Sequence, residues 1–182
     1  MLFSQIDFSN GEKKSKSVGI KRKYQTVEET DFDAERVYPF LKALIETKST
    51  NIVFIGCGVK KNNRKCKAET MYKGYYYLSC LFLARCLADR NHIYILSAKH
   101  RMLGLDEEIE PYNMSLRKQK KQKQIEWKKK VLAQMKNLPD GQRIFICAHF
   151  YKKFFEGLFV LPQEGILIQV HWINQMLNLL RS

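Results

Sequence analysis

Three short apolar runs along the chain have the pattern of strands that are buried on both faces of a sheet. The runs cover residues 51–58, 92–97 and 143–148, and each is rich in isoleucine and other residues that favour strands. Continuous apolar runs of this length are typical of parallel sheets, in which helices cover both faces. The pattern therefore predicts three central strands.

Apolar residues at helical spacing predict the helices that accompany these strands. One helix is predicted over residues 34–47, with Asp31 or Asp33 as its N-cap, and a long apolar helix is predicted over residues 69–89. An amphipathic helix is predicted within residues 115–136, before the third strand. The alternation of strand and helix predicts a parallel sheet with crossover helices.

The C-terminal segment, residues 165–177, has the pattern either of a strand followed by a helix or of one helix, and we favour a closing helix. The predicted fold class is α/β, a single domain over residues 33–182 with a small, mostly parallel sheet flanked by helices. Residues 1–32 show little periodicity and predict a partly mobile basic arm. The cations of this arm include Lys13, Lys14, Lys16, Lys21, Arg22 and Lys23.

The charge of the chain is strongly positive and favours a polyanionic partner. The 182 residues contain 32 lysines and arginines and 18 acidic residues, which give a formal net charge of +14. Such a surface attracts nucleic acid, and we expect DNA more than RNA. We expect no membrane partner, because no apolar run approaches the roughly 20 residues of a spanning helix and the start lacks a signal-peptide core.

The cysteines predict neither a disulfide framework nor a zinc finger. They are odd in number and form no Cys-x-x-Cys pair. We therefore expect a reducing, cytoplasmic environment, and we predict no metal site and no cofactor. The cysteines are Cys57, Cys66, Cys80, Cys86 and Cys147.

Polar residues follow each predicted strand, at the end where ligands bind in open parallel sheets. Cys57 lies between two glycines after the first strand, and Lys60 and Lys61 follow it. Glycines and lysines in this position can hold a phosphate, but without a full motif they are as often a turn with solvated lysines. Cys57 is a candidate nucleophile with His100 or His149 as its base, and the competing interpretation is an inert buried thiol.

The segment over residues 94–112 concentrates acids, bases and hydroxyl groups in one loop after the second strand. Such a cluster suits proton transfer or the orientation of a polar ligand, and the alternative is an ordered turn with surface carboxylates. The residues that we predict to be catalytic are Cys57, Ser97, Lys99, His100, Asp106, Glu108 and Tyr112.

Basic residues on the first loop and on the amphipathic helix are predicted to contact phosphates, which supply affinity and a strong dependence on salt. A base within duplex DNA would have to be flipped out, and Tyr72, Tyr75, Tyr76 and Phe150 are candidate stacking partners, although each is more often a core aromatic. The predicted nucleic-acid-binding residues are Lys60, Lys61, Arg64, Lys65, Arg101, Arg117, Lys118, Lys120, Lys121 and Lys123.

Two ordered motifs in these segments resemble those of the YaaA-like superfamily. The first reads Cys57-Gly-Val-Lys-Lys61 and is followed by Ala68-x-x-Met-Tyr-x-Gly74. The second runs from Tyr94-Ile-Leu-Ser-Ala-Lys-His100 through Ile109-Glu-Pro-Tyr112. The resemblance covers approximately residues 51–182, and it departs from the superfamily pattern at Arg101, where glycine is usual.

The resemblance implies a mixed α/β fold and an association with DNA that is linked to its protection or repair under oxidative stress. Together with the charge, it favours a DNA-binding protein that recognises or processes a base or nucleotide in DNA modification, damage response or phage biology. Two other hypotheses stay open. One is an enzyme that acts on a free nucleotide or small anionic metabolite, and the other is a non-catalytic RNA-binding or accessory protein.

Overall fold

Residues 33–162 and 165–181 are described by the structure, a computed structural model, and the predicted arm over residues 1–32 lies outside them. The described strands are β1 (Ile52–Gly56), β2 (Cys66–Lys67), β3 (Ile93–Ser97), β4 (Arg101–Gly104), β5 (Glu108–Ile109), β6 (Arg143–Ile146) and β7 (Leu158–Phe159). The α-helices are α1 (Ala34–Glu46), α2 (Ala68–Met71), α3 (Tyr75–Leu87), α4 (Lys121–Met135) and α5 (Ile166–Leu179). Short 3-10 helices cover Lys48–Thr50, Arg90–His92, Leu116–Lys118 and His149–Tyr151.

A mixed, mostly parallel sheet in the order β4-β3-β1-β6-β7 forms the centre of the fold. Strand β1 pairs in parallel with both β3 and β6, and β6 pairs in parallel with β7. The three apolar runs thus become the three neighbouring central strands, which confirms the predicted α/β class. The edge strand β4 is antiparallel to β3, and β2 and β5 form a separate antiparallel pair.

Helices cover both faces of the sheet. Successive strand residues point to opposite sides, so a continuous apolar strand presents apolar side chains on both faces. Val53 and Ile55 of β1 join the apolar core beneath α1, α3 and α5. Ile52 and Phe54 of the same strand join the core beneath α4, where Trp127 packs. The strand is buried along its whole length, as its continuous apolar pattern predicts.

The predicted N-cap of the first helix and the predicted closing helix agree with the structure. The side chain of Asp33 caps α1, since its Oδ1 accepts a hydrogen bond from the Arg36 amide at 3.1 Å. The C-terminal segment forms the single helix α5 rather than a strand and a helix. Within the described residues, no helix is long and apolar enough to cross a bilayer.

The single long helix predicted over residues 69–89 is wrong, because the chain interrupts it. Helix α2 ends at Met71, and Tyr72 adopts an extended conformation that forms an isolated antiparallel bridge with Lys61. The amide of Lys73 donates to the Lys60 carbonyl at 2.9 Å, and α3 starts only after Gly74. Pairing with the loop after β1 therefore overrides the helical pattern at this point.

The predicted loop over residues 94–112 is also more regular than expected. Strands β3 and β4 form a hairpin in which Ser97 pairs with Arg101 across a three-residue turn. Arg101 has φ of 72°, in the left-handed region that favours glycine. Three-residue hairpin loops require such a residue after the turn, and Arg101 occupies that position.

Candidate functional site

The loops that follow β1, β3 and β6 meet at the carboxyl edge of the sheet because β1 pairs with both of the other strands. Gly58, after β1, lies against two aromatic residues. A Cβ atom at this position would lie 3.2 Å from the Tyr72 Cβ and 3.4 Å from the Tyr77 Cβ. The glycine therefore allows the loop to pack closely on Tyr72. This is a structural role for Gly58, in line with the interpretation of the glycines as part of a turn.

Three hydroxyl groups form a continuous hydrogen-bonded chain beside this loop, which we call the hydroxyl cluster: Ser97, Tyr112 and Tyr72. The Tyr112 hydroxyl lies 2.8 Å from Ser97 Oγ and 2.9 Å from the Tyr72 hydroxyl. Ser97 is fully buried and also accepts a hydrogen bond from the His100 amide at 3.0 Å. The hairpin turn after β3 and the segment after β5 thus hold the cluster together.

The tyrosines of the cluster are neutral hydrogen-bonding groups. Burial raises the pKa of Tyr72 to about 12, and it raises the pKa of Tyr112 well above its ordinary value. The nearby Cys57 side chain adds to both pKa shifts. A phenol whose pKa is raised keeps its proton at neutral pH, so the cluster can donate a proton in a hydrogen bond to a ligand.

His100 lies at the edge of the hydroxyl cluster and has an unused polar atom. Its ring is 5.3 Å from the Tyr112 ring in an edge-on arrangement. Its Nε2 atom is buried without a hydrogen-bond partner among the described residues. Burial lowers the pKa of His100, and the adjacent Lys99 lowers it further. The lowered pKa favours the neutral imidazole, and its buried Nε2 is a polar atom with hydrogen-bonding capacity to spare.

Cys57 lies between the two apolar cores and is partly buried. No hydrogen bond joins it to His100 or His149 among the described residues, so the predicted pairing of a thiol with a histidine base is not assembled. Tyr151 is the residue from the loop after β6 that interacts with it: burial raises the pKa of Tyr151, and Cys57 adds to the shift. Cys147 is fully within the core.

Asp106 and Glu108, predicted as catalytic, are instead engaged in surface ion pairs. Asp106 accepts from Lys67 at 2.9 Å and from Arg90 at 2.9 Å, and these contacts lower its pKa to about 2. Glu108 pairs with Lys65 at 2.9 Å. No hydrogen bond joins either carboxylate to the hydroxyl cluster within the described residues. Strand β5 pairs with β2, which brings these acids to the lysines of the first loop.

Lysines from two loops approach the hydroxyl cluster. The Lys61 ammonium is 4.4 Å from the centre of the Tyr112 ring, and the Lys99 ammonium is 5.8 Å from it. The ion pairs between described residues involve Lys65, Lys67, Arg85 and Arg90, whereas Lys61 and Lys99 pair with no carboxylate there. Arg64 is exposed in the loop after β1, and Arg101 is exposed at the start of β4.

The N-terminal part of α4 adds further cations at this edge. Trp127 Nε1 donates to the Ser97 carbonyl at 2.8 Å, and Lys153 Nζ donates to Gln124 Oε1 at 3.1 Å, so the start of α4 lies beside the strand ends. Residues 111–155 contain twelve lysines and arginines but two acidic residues, an excess of ten positive charges. We call the cations at this edge the basic edge: Lys60, Lys61, Lys99, Arg117, Lys118, Lys120, Lys121, Lys123, Lys152 and Lys153.

Sequence reasoning missed Lys152, Lys153 and Tyr151. They lie in the segment after β6, so the rule that ligands bind at strand ends also points to them. Tyr72, a candidate stacking partner for which a core position was the alternative, is 1% exposed and contributes its hydroxyl to the cluster. Among the described residues, no group of three or more histidines, cysteines and carboxylates could hold a metal ion.

A model for a family of unknown function (DUF6884) matches residues 52–174, which is more than half of the chain. The chain belongs to this family. The match spans β1 through most of α5, and so it contains the hydroxyl cluster and the basic edge of this DUF6884 member. No curated protein and no solved structure matches the chain.

Proposed function

We propose that the carboxyl edge of the sheet binds nucleic acid, DNA in preference to RNA, and recognises one base or nucleotide beside the hydroxyl cluster. The observation that carries the proposal is the approach of Lys61 and Lys99 to the same Tyr112 ring without a carboxylate partner among the described residues. Two ammonium groups that converge in this way make a favourable position for a phosphate.

The separation of charges along the chain supports the same function. Two of the carboxylates near the site, those of Asp106 and Glu108, are neutralised by Lys67, Arg90 and Lys65. The cations of α4 are exposed, except Lys128, which is half-buried, and Glu126 is the acidic residue of the helix. Phosphate contacts by such cations give affinity and register, while polar groups in a pocket give selectivity. His100 Nε2 and the hydroxyl cluster are the groups suited to that selectivity.

The resemblance to the YaaA-like superfamily supports DNA as the partner, and it stays a prediction. Its motifs contain Lys61, Tyr72, Ser97, His100 and Tyr112, which are the residues that meet at the carboxyl edge. We infer a role in DNA modification, damage response or phage biology. All the cysteines in the described residues are free, which fits a reducing cytoplasm.

The proposal is tested by the salt dependence of DNA binding. Wild type is compared with a Lys61→Gln, Lys99→Gln double variant, using labelled duplex and single-stranded DNA in a fluorescence anisotropy titration. For each phosphate contact removed, the slope of log affinity against log salt should become shallower by about 0.9 with the duplex and by about 0.7 with the single strand. The matched control is Lys42→Gln, Lys48→Gln, which changes the net charge equally but lies on α1 and at the opposite, amino edge of β1.

An unchanged slope in the double variant, or an equal change in the control, would refute phosphate binding at Lys61 and Lys99. Failure of the wild-type protein to bind either form of DNA at moderate salt would refute nucleic-acid binding as a whole.

A second candidate function is an enzyme that acts on a free nucleotide. The observation that favours it is the unpartnered His100 Nε2 beside the hydroxyl cluster, because a titratable group and neutral donors at a strand end suit proton transfer. Binding of mononucleotides should then raise the melting temperature of wild type but not that of a His100→Gln variant. Tight binding of long DNA without any effect of mononucleotides would count against this function.

A further inference from the structure

Phe150 is an aromatic residue at the carboxyl edge that the core does not fully bury. It lies in the 3-10 helix that follows β6 and is partly exposed. Its aromatic neighbours are buried and pack around Trp127. They are Tyr151, Phe154 and Phe155, with exposed fractions of 8%, 8% and 6%. The Phe150 ring packs nearly perpendicular to the rings of Tyr151 and Phe154, so it is held in place by the core.

Two cations from different segments lie over the Phe150 ring. The Lys153 ammonium is 4.2 Å from the ring centre, and the Arg117 guanidinium is 5.4 Å from it. Lys153 is positioned by its hydrogen bond to Gln124, a buried residue of α4. Neither cation forms an ion pair with a carboxylate in the described part of the chain.

An aromatic ring with two cations over it, neither of them in an ion pair among the described residues, has the chemistry that binds one nucleotide of an unpaired strand. The base stacks on the ring or on the guanidinium, and the ammonium contacts the adjacent phosphate. In a duplex both faces of each base are covered by its neighbours, so this contact requires an unpaired or extruded base. From this arrangement we propose that Phe150, Arg117 and Lys153 form a stacking site that makes the carboxyl edge selective for single-stranded nucleic acid.

This inference rests on the proposed function and narrows its substrate to an unpaired strand. The basic edge alone would bind duplex and single strand through phosphates without distinguishing bases. The stacking site adds a contact that a base in an intact duplex cannot make. Removal of the aromatic face should therefore weaken binding of the single strand and leave the duplex contact to the cations unchanged.

The test compares full-length wild type with Phe150→Leu and Phe150→Tyr variants by fluorescence anisotropy. The probes are a labelled oligothymidylate of about 16 nucleotides and its duplex with oligoadenylate. Phe150→Leu keeps the apolar bulk but loses the aromatic face, and it should weaken single-strand binding by about 5- to 150-fold. Phe150→Tyr should retain wild-type affinity, and duplex binding should be the same in all three proteins.

A matched control is available on the other face of the sheet. Phe82 of α3 is 50% exposed and has the Arg181 guanidinium 5.9 Å from its ring centre, but it lies in the helical layer opposite α4. Phe82→Leu should leave both affinities unchanged. Equal single-strand affinity of Phe150→Leu and wild type, or equal weakening for both probes, would overturn the stacking site while leaving the basic edge intact.

A second measurement does not depend on how the variants fold. Ultraviolet crosslinking of oligothymidylate to the wild-type chain, followed by peptide mapping, should yield adducts in the peptide that contains Phe150. Adducts confined to other peptides would overturn the proposal. If wild type binds neither probe at moderate salt, the proposed function itself fails, and this outcome is distinct from a bound strand that does not contact Phe150.

Discussion

The ammonium group of Lys61 lies 4.4 Å from the centre of the Tyr112 ring, so the loop after β1 and the segment after β5 meet over one aromatic face. The hydroxyl of the same Tyr112 bonds Ser97 and Tyr72. Tyr112 therefore connects the basic edge to the hydroxyl cluster. Removal of the Tyr112 hydroxyl alone distinguishes the contribution of the hydroxyl cluster from that of the basic edge. The cluster loses two hydrogen bonds, whereas the ring stays beneath the Lys61 ammonium group.

A Tyr112→Phe substitution should destabilise the fold by about 1–2 kcal/mol, because it removes a partner from two other hydroxyl groups. Ser97 is fully buried and would retain the bond from the His100 amide, while Tyr72 would lose its hydroxyl partner. Urea unfolding measures the loss. The control Tyr75→Phe removes a hydroxyl from a side chain that is 65% exposed and should cost less than about 0.5 kcal/mol.

Equal losses in the Tyr112 and Tyr75 variants would show that the hydroxyl cluster contributes nothing specific to stability. DNA binding provides a second comparison for Tyr112→Phe. We expect its salt dependence to remain that of wild type, because the ring and the Lys61 ammonium over it are unchanged.

The raised pKa of Tyr72 predicts a loss of stability at alkaline pH. The pKa rises from 10.0 to about 12 on folding, so above pH 10 the unfolded chain gives up this proton more readily than the folded one. The stabilising contribution is complete below pH 10 and is lost as pH rises through about 12, at up to about 1.4 kcal/mol for each pH unit in that window. Urea unfolding at a series of pH values follows the loss.

Ultraviolet titration of tyrosinate gives an independent check on Tyr72. The difference between the titrations of wild type and Tyr72→Phe should show a group that ionises near pH 12 in the folded protein. Ionisation of that group at the ordinary value near pH 10 would contradict its burial.

The sequence predicts the central strands well because β1, β3 and β6 are buried on both faces and carry continuous apolar runs. It misses β4, since Arg101–Gly104 forms a strand only by pairing with β3 in the hairpin. The break at Tyr72 is missed for the same reason, because its cause is the bridge to Lys61. The hydrophobic pattern of a segment predicts its secondary structure where burial of that segment decides it. The pattern does not predict structure that depends on pairing with a distant segment.

The residues of the candidate site also differ in whether the sequence alone identifies their role. Ser97, Lys99 and His100 are found from sequence because they directly follow a buried strand. Asp106 lies in the same segment of the sequence, after β4, but its partners Lys67 and Arg90 come from other segments. A cluster of acids and bases in sequence therefore overestimates the catalytic set, since the ion pairs that neutralise its carboxylates form only in the folded chain.

Arg101→Gly should preserve stability while it weakens DNA binding. The backbone of Arg101 has φ of 72°, and a non-glycine residue in this region costs about 1–2 kcal/mol. Glycine relieves this cost but loses about 0.5–1 kcal/mol through the entropy of the unfolded chain, so the net change should be small and favourable. Arg101→Val, which is β-branched, should be less stable than Arg101→Gly by about 1–3 kcal/mol.

The same pair of substitutions at Arg64, an exposed loop residue without a positive φ, provides the control. A difference between glycine and valine at Arg64 that equals the difference at Arg101 would contradict the backbone argument. DNA affinity of Arg101→Gly equal to that of wild type would remove Arg101 from the predicted phosphate contacts.

Asn51→Asp should be strongly destabilising because Asn51 joins the ends of two helices. Its Nδ2 group donates to the carbonyls of Leu44 at 2.6 Å and Leu87 at 2.8 Å, in the last turns of α1 and α3, and its side chain is fully buried. The carbonyls of a last helical turn lack amide partners within their own helix. The Leu44 carbonyl would keep only the Thr47 hydroxyl, 3.2 Å away, the Leu87 carbonyl would lose its amide donor, and both would face a buried carboxylate. We expect a loss of at least about 3 kcal/mol in urea unfolding at neutral pH.

The pH dependence of Asn51→Asp distinguishes this cause from a general loss of packing. Burial against two carbonyl oxygens raises the pKa of the introduced carboxyl, and its protonated form can donate a hydrogen bond to one of them. Stability of the variant relative to wild type should therefore recover as pH falls and decline again as pH rises through the raised pKa. The control Asn63→Asp, on an exposed loop, should cost less than about 0.5 kcal/mol at any of these pH values. A deficit in Asn51→Asp that does not change with pH would assign the damage to altered packing, because a buried charge between the two helix ends must respond to protonation.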